Sequence, residues 1–154
     1  MNRLLMKNRI FQPFAGFAFL ILIVFMASGY AHAAGTASLE PTQKVVIQVS
    51  DNNPGKWNLA LNNAQNVQQA LGKKNVHVVI VAYGPGLPML KWTSVVGDRV
   101  AHAIKAGVRV VACQVTMRKM HLTKKDMLPN LAYVPSGVPY IMKLQQEGYS
   151  YIRP

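Results

Sequence analysis

Cysteine and acid are what this chain most conspicuously lacks: Cys113 is its only thiol, and its Asp and Glu residues number 5. Without a second cysteine no intrachain disulfide can form, so the fold must rest on packing alone. The few acids, Glu40, Asp51, Asp98, Asp126 and Glu147, are scattered and leave no carboxylate pair for general acid and base work. His77, His102 and His121 lack the i, i+4 spacing and carboxylate companions that build a metal site, so no metal is expected. The turn after the first β-branched run, Ser50 to Gly55, has no phosphate-cradling series of glycines and hydroxyls. That argues against a flavin or nucleotide, and no cofactor is expected. No internal repeat and no long low-complexity run is present.

Basic residues are plentiful instead, 17 Lys and Arg for a formal net charge of +12. Such a balance often marks a nucleic-acid partner, but no recognisable nucleic-acid motif accompanies it, and the chain carries an export signal, so none is expected. Two readings of the charge stay open: solubility with weak attraction to anionic surfaces, or a positive rim that draws small anions toward a site.

The export signal is the sequence up to Ala33. Arg3, Lys7 and Arg9 precede an apolar stretch from Phe14 to Met26 and the small-residue ending Ala31-His32-Ala33, the three-part plan of a secretory leader. Cleavage after Ala33 would put the mature start at Ala34, in the periplasm or outside the cell. The alternative is an uncleaved membrane anchor, since Phe14 to Ala34 approaches the roughly 20 residues that span a bilayer. No later segment is long and apolar enough to do so. Residues 34–43 read as a flexible segment and 44–154 as one domain, and a mature chain of about 120 residues can bury about two-thirds of its surface.

From Lys44 onward strand-like and helix-like segments alternate. Val45 to Val49, Val76 to Ala82 and Val108 to Cys113 are β-branched runs suited to strands buried on both faces, with weaker strands at Leu131 to Val134 and Tyr149 to Arg153. Trp57, Leu61, Ala64, Val67 and Leu71 share a helical face opposite an uncharged row of Asn and Gln, which is either an oligomer contact or a neutral solvated surface. Asp98 to Ala106 reads as a second helix closed by Gly107. Thr123 to Asp126 has the pattern of a capping box, and Ser136 caps a final helix to Glu147 with Val138, Ile141, Met142 and Leu144 as its apolar face. The order βαβαβαβαβ with right-handed crossovers predicts an α/β fold of about five mostly parallel strands with helices on both faces.

That architecture puts Cys113 on the carboxyl edge of the sheet, where ligands of open α/β sheets bind. Thr116 to Met120 should open a helical turn whose free N–H groups stabilise a thiolate, with Arg118, Lys119 and His121 adding positive potential. The turn Tyr83-Gly84-Pro85-Gly86 is tight enough for its N–H groups to converge on an anion, making Gly84 and Gly86 candidate substrate-binding residues. Against a reactive thiol stands the reading of Cys113 as a small buried hydrophobe. Trp57, Trp92 and the methionines read as core or interface packing.

Gly107 to Met117, Val134-Pro135-Ser136-Gly137-Val138 and the ending Leu144 to Pro154, together with Tyr83-Gly84-Pro85-Gly86, resemble the DsrE/DsrF-like family from about Lys44 to the C-terminus. The resemblance implies a flavodoxin-like subunit that commonly assembles into trimers or hexamers. It also implies that Cys113 matches the position at which sulfur-relay members related to TusD carry sulfur as a persulfide. Those relay members work in the cytoplasm and many have a small residue after the cysteine; here an export leader precedes the domain and Gln114 and Val115 follow. The implied activity is that of a sulfurtransferase-like carrier taking sulfane sulfur from a donor protein or a small sulfur anion, with Arg118 and Lys119 stabilising the anion. The competing reading is a non-catalytic exported binding or assembly module with Cys113 packed away.

Overall fold

The β-branched runs become the strands at the centre of the molecule. The computed structural model describes residues 43–154; the leader and residues 34–42 lie outside the described residues. In chain order the elements are β1 (Gln43–Val49), α1 (Pro54–Leu71), β2 (Val76–Ala82), a 3-10 helix (Gly84–Leu90), α2 (Gly97–Lys105), β3 (Arg109–Cys113), α3 (Gln114–Lys119), a 3-10 turn (Lys124–Asp126), β4 (Ala132–Val134), α4 (Gly137–Gln146) and β5 (Ser150–Ile152). The strands form one 5-stranded sheet in the order β4-β3-β2-β1-β5, and every pairing is parallel.

Local chemistry sets the helix ends. Asn53 caps α1, its Oδ1 accepting from the N–H groups of Gly55 at 2.8 Å and Lys56 at 3.3 Å, and Pro54 follows where a missing N–H costs nothing. Thr123 donates its N–H and its hydroxyl to the Asp126 carboxylate at 2.7 and 2.8 Å, within the capping box expected of that sequence. These bonds, with the Thr123 N–H first, hold the Asp126 carboxyl below its usual range. Along α1 the buried positions are Trp57, Ala60, Leu61, Ala64 and Gln68. Leu71, expected on that face, is exposed; Gln68 occupies the last buried turn and donates its amide to the Ala106 carbonyl at 3.0 Å, tying α1 to the end of α2.

The direction of each crossover decides which face of the sheet it covers. From β1 to β4 the chain steps steadily one way across the sheet, so right-handed connections leave α1, α2 and the segment after β3 on one face. Val45, Ile47 and Val49 pack there with Trp57, Leu61, Val100, Met117 and Met127. The return from β4 to β5 runs the opposite way, and the same hand puts α4 on the other face, over Val46, Val79, Val81 and Val111. Strands covered on both sides show no apolar and polar alternation, as their sequences indicated. Alone on its face among the described residues, α4 buries Ile141 and Leu144 but leaves Val138 and Met142, also expected in its apolar contact, 47% and 56% exposed.

Close approach of backbone to backbone locks the turn after β2 onto the end of β1. Tyr83 donates its N–H to the Val49 carbonyl at 3.1 Å, and a Cβ on Gly86 would lie 2.4 Å from that same oxygen. Gly86→Ala is therefore expected to destabilise the fold by about 2 kcal/mol or more. Urea unfolding followed by tryptophan fluorescence checks this; an unchanged midpoint would refute the packing account.

Candidate functional site

Cys113 closes β3, and its register partner Val134 closes β4. The chain leaves β3 on the α1 and α2 face and leaves β4 toward α4 on the opposite face. Two adjacent strands whose exits diverge open a crevice at their carboxyl ends, the place where open α/β sheets bind ligands. Cys113 shares the parity of Val111, which packs on the α4 side, so its thiol faces the start of α4.

At that point the thiol meets hydrogen-bond donors. The Gly137 N–H, first in the ten-residue helix α4, donates to Cys113 Sγ at 3.2 Å. Gly137 has no side chain to hold the strand away; a Cβ there would meet Tyr83 Cβ at 3.0 Å. On the other side, the Gly84 N–H donates to Thr116 Oγ1 at 2.9 Å, and the Thr116 hydroxyl in turn hydrogen-bonds the cysteine sulfur. The backbone of Thr116 and of Val115 favours the thiolate as well. Val115 also donates to the Pro135 carbonyl at 3.1 Å, so the two turns that flank the thiol are joined to each other.

Two opposing effects set the acidity of the thiol. Burial is the largest single influence and raises the pKa of Cys113; the hydrogen bonds from the Thr116 hydroxyl, the Thr116 N–H, the Gly137 N–H and the Val115 N–H together outweigh it, and the thiol lies below its ordinary value. The residue is only 3% exposed, yet it lines a depression of about 370 Å³ open to solvent. Tyr83, Pro85, Val115, Met120 and Val138 form much of the wall, and among the described residues Lys119 is the only charged one on it. Burial raises the Tyr83 phenol above its usual range, so it stays neutral.

The residues singled out from the sequence separate at this site. Gly84 and Lys119 line the depression with Cys113; Arg118 and Gly86 do not. Lys119 follows Val115 and Thr116 at helical spacings of four and three and shares their face, whereas Arg118 projects from the neighbouring, exposed side of α3. Gly86 is buried against β1. The N–H groups expected to converge on an anion are taken up internally, Gly84 by Thr116 and Gly86 by the Tyr83 carbonyl. His121, exposed and with φ of 55°, is not on the wall either. Sequence reasoning missed the Thr116 hydroxyl as a partner of the thiol and Met120 and Val138 as its walls. A threonine three residues after a strand-end cysteine was the available signal for the first. Among the described residues no group of three or more His, Cys, Asp or Glu side chains is placed to hold a metal, and no helix is long and apolar enough to cross a membrane.

A parallel α/β domain with a donor-ringed thiol at its topological switch point is the class of protein that this geometry defines. The model of the DsrE/DsrF-like family matches residues 43–154, and the chain belongs to that family. Among solved structures it is similar to a protein of unknown function from Methanobacterium thermoautotrophicum, with 31% identity, a TM-score of 0.70, and coverage of 73% of this chain and 99% of that one. A conserved protein of unknown function from Bacteroides thetaiotaomicron shares the fold at 16% identity and a TM-score of 0.61, covering 73% of this chain and 95% of that one. None of the curated proteins matches the chain.

Because the folded state favours the thiolate, ionisation of Cys113 lends stability that is lost as pH falls through the folded pKa and is full above the ordinary thiol value. The rate of iodoacetamide alkylation of the native protein should accordingly rise with pH at a midpoint below that of the unfolded chain. Thr116→Val should move this midpoint upward. A native midpoint at or above that of the unfolded protein would show that burial wins over the hydrogen bonds.

Proposed function

We propose that this chain is an exported sulfur carrier that forms a persulfide on Cys113. The observation that carries the reading is the thiol itself, with N–H and hydroxyl donors that favour its thiolate, on the lining of an open depression. Membership of the DsrE/DsrF-like family supports it. In the carrier cycle the Cys113 thiolate attacks a sulfane sulfur of a donor protein or a small sulfur anion, and the bond from that sulfur to its carrier breaks with the electron pair leaving on the carrier. An acceptor thiolate then attacks the outer sulfur of Cys113-S-SH, and the Cys113 thiolate departs. Reduced thiolate is regenerated, so the cycle needs no external oxidant. The leader places this chemistry in the periplasm or outside the cell, or at the membrane face if it is retained. Intact-mass spectrometry of protein recovered from the exported fraction of its host should read a chain that starts at Ala34. After polysulfide treatment that chain should be heavier by one sulfur atom, and Cys113→Ser should gain none. An accessible Cys113 that acquires no sulfur sinks the carrier reading.

Exposed apolar side chains favour a second reading, self-assembly, which the carrier function does not exclude. Trp92 and Val95, in the loop before α2, are 68% and 77% exposed, beside Leu128 and Pro129. Such side chains belong in a contact between subunits. A homo-oligomer, with a trimer or hexamer implied by the family resemblance, is expected in sedimentation velocity. Replacing both Trp92 and Val95 by Ser should shift the protein toward monomer; a wild-type protein that already sediments as a monomer removes this reading.

A further inference from the structure

We infer that the donor that loads Cys113 is a small organic persulfide with an apolar body, in preference to inorganic thiosulfate. The inference rests on the carrier reading and names the substrate class of the same site. Its first ground is access. Cys113 is 3% exposed, so only a slim reactant entering the depression can bring a sulfur atom to Sγ. The second is volume: about 370 Å³ falls in the range of pockets that bury small organic molecules, and far exceeds what an ion of five heavy atoms fills.

The third ground is the chemistry of the wall. Tyr83, Pro85, Met120 and Val138 offer apolar surface, Tyr83 keeps its proton, and Lys119 supplies the one charge among the described residues. An organic body buries apolar area against these side chains, whereas a small, strongly hydrated dianion gains nothing from them and loses water. Outside the site, Met142 continues the exposed apolar surface of α4 beyond Val138, so an organic body has somewhere to lie as it enters.

The leaving group makes the same distinction. With an organic persulfide, Cys113-S⁻ + R-S-SH gives Cys113-S-SH + R-S⁻. The new S–S bond forms as the S–S bond of the donor breaks, the proton stays on the transferred sulfur, and the electron pair leaves with R-S⁻. Nothing is oxidised or reduced overall. One negative charge then sits on the departing thiolate, and the single lysine matches it. Thiosulfate would instead release sulfite, whose concentrated double charge one exposed lysine in an apolar wall balances poorly.

Loading of the purified full-length protein by equal concentrations of benzyl persulfide and of thiosulfate tests this, with the sulfur on Cys113 read by mass spectrometry. Benzyl persulfide should load at least ten times faster. Val138→Lys, at a position 47% exposed, should narrow that ratio at least fivefold by removing apolar wall and adding a second cation, while circular dichroism confirms the fold. Thiosulfate loading as fast as benzyl persulfide overturns the inference and leaves the carrier reading standing, as does loading only from a persulfidated protein. Failure of every donor to load a thiol that iodoacetamide still alkylates removes the carrier reading and the donor class with it.

Discussion

The right-handed rule for crossovers between parallel strands is the constraint from which the rest of this structure follows. Four strands laid down in one direction and a fifth reached by a return in the other oblige α4 to cover the face opposite α1 and α2. That reversal begins at the end of β4, next to the end of β3. The crevice between them is thus a consequence of strand order, and Cys113 and Gly137 stand on its two sides because one ends β3 and the other begins α4.

The acidity of the thiol at this crevice depends on a balance of two forces acting on one sulfur. Enclosure by β3, α3 and the first turn of α4 opposes charge on the thiol, and the same elements bring the N–H groups and the Thr116 hydroxyl that favour it. Gly84 enters the balance at one remove: its N–H donates to the Thr116 hydroxyl oxygen, whose own hydrogen bond lowers the pKa of the thiol. Tyr83 and Gly137 interlock beside them, with no room for a side chain between. The β2 turn, α3 and the β4 to α4 turn thereby form one hydrogen-bonded unit around Cys113. A reactive thiol and a packed structural one are both small groups in tight places; this one has a hydrogen-bond donor at its sulfur and lines a depression open to solvent.

Much of the fold was legible in the amino-acid sequence, and for identifiable reasons. β-Branched runs such as Val76 to Ala82 have few alternatives to a buried strand, and the breaks at Gly72, Gly107 and Gly148 coincide with backbone of positive φ that glycine accepts readily. The capping pair Thr123 and Asp126 was readable because its partners are three residues apart. Less of the site was legible. Cys113, Lys119 and Gly84 were named and lie together, whereas Arg118 and Gly86 were named for nearness in the chain and lie elsewhere. Adjacent residues on a helix face different ways, and a glycine in a turn serves close packing as readily as ligand contact.

What the sequence by itself determined is the alternation of elements, the placing of its single cysteine at a strand end, and the excess of positive charge. These follow from local periodicity and composition, which act within a few residues. Only the tertiary structure decided that Gly137, 24 positions along the chain, would donate to the sulfur, that Gly84 would be held by Thr116, 32 positions away, and that Val138 would wall the cavity in place of joining the core. Those relations depend on how crossovers wrap the sheet and on which strand ends become neighbours, and no local pattern encodes a distance between segments that meet only when the chain has folded.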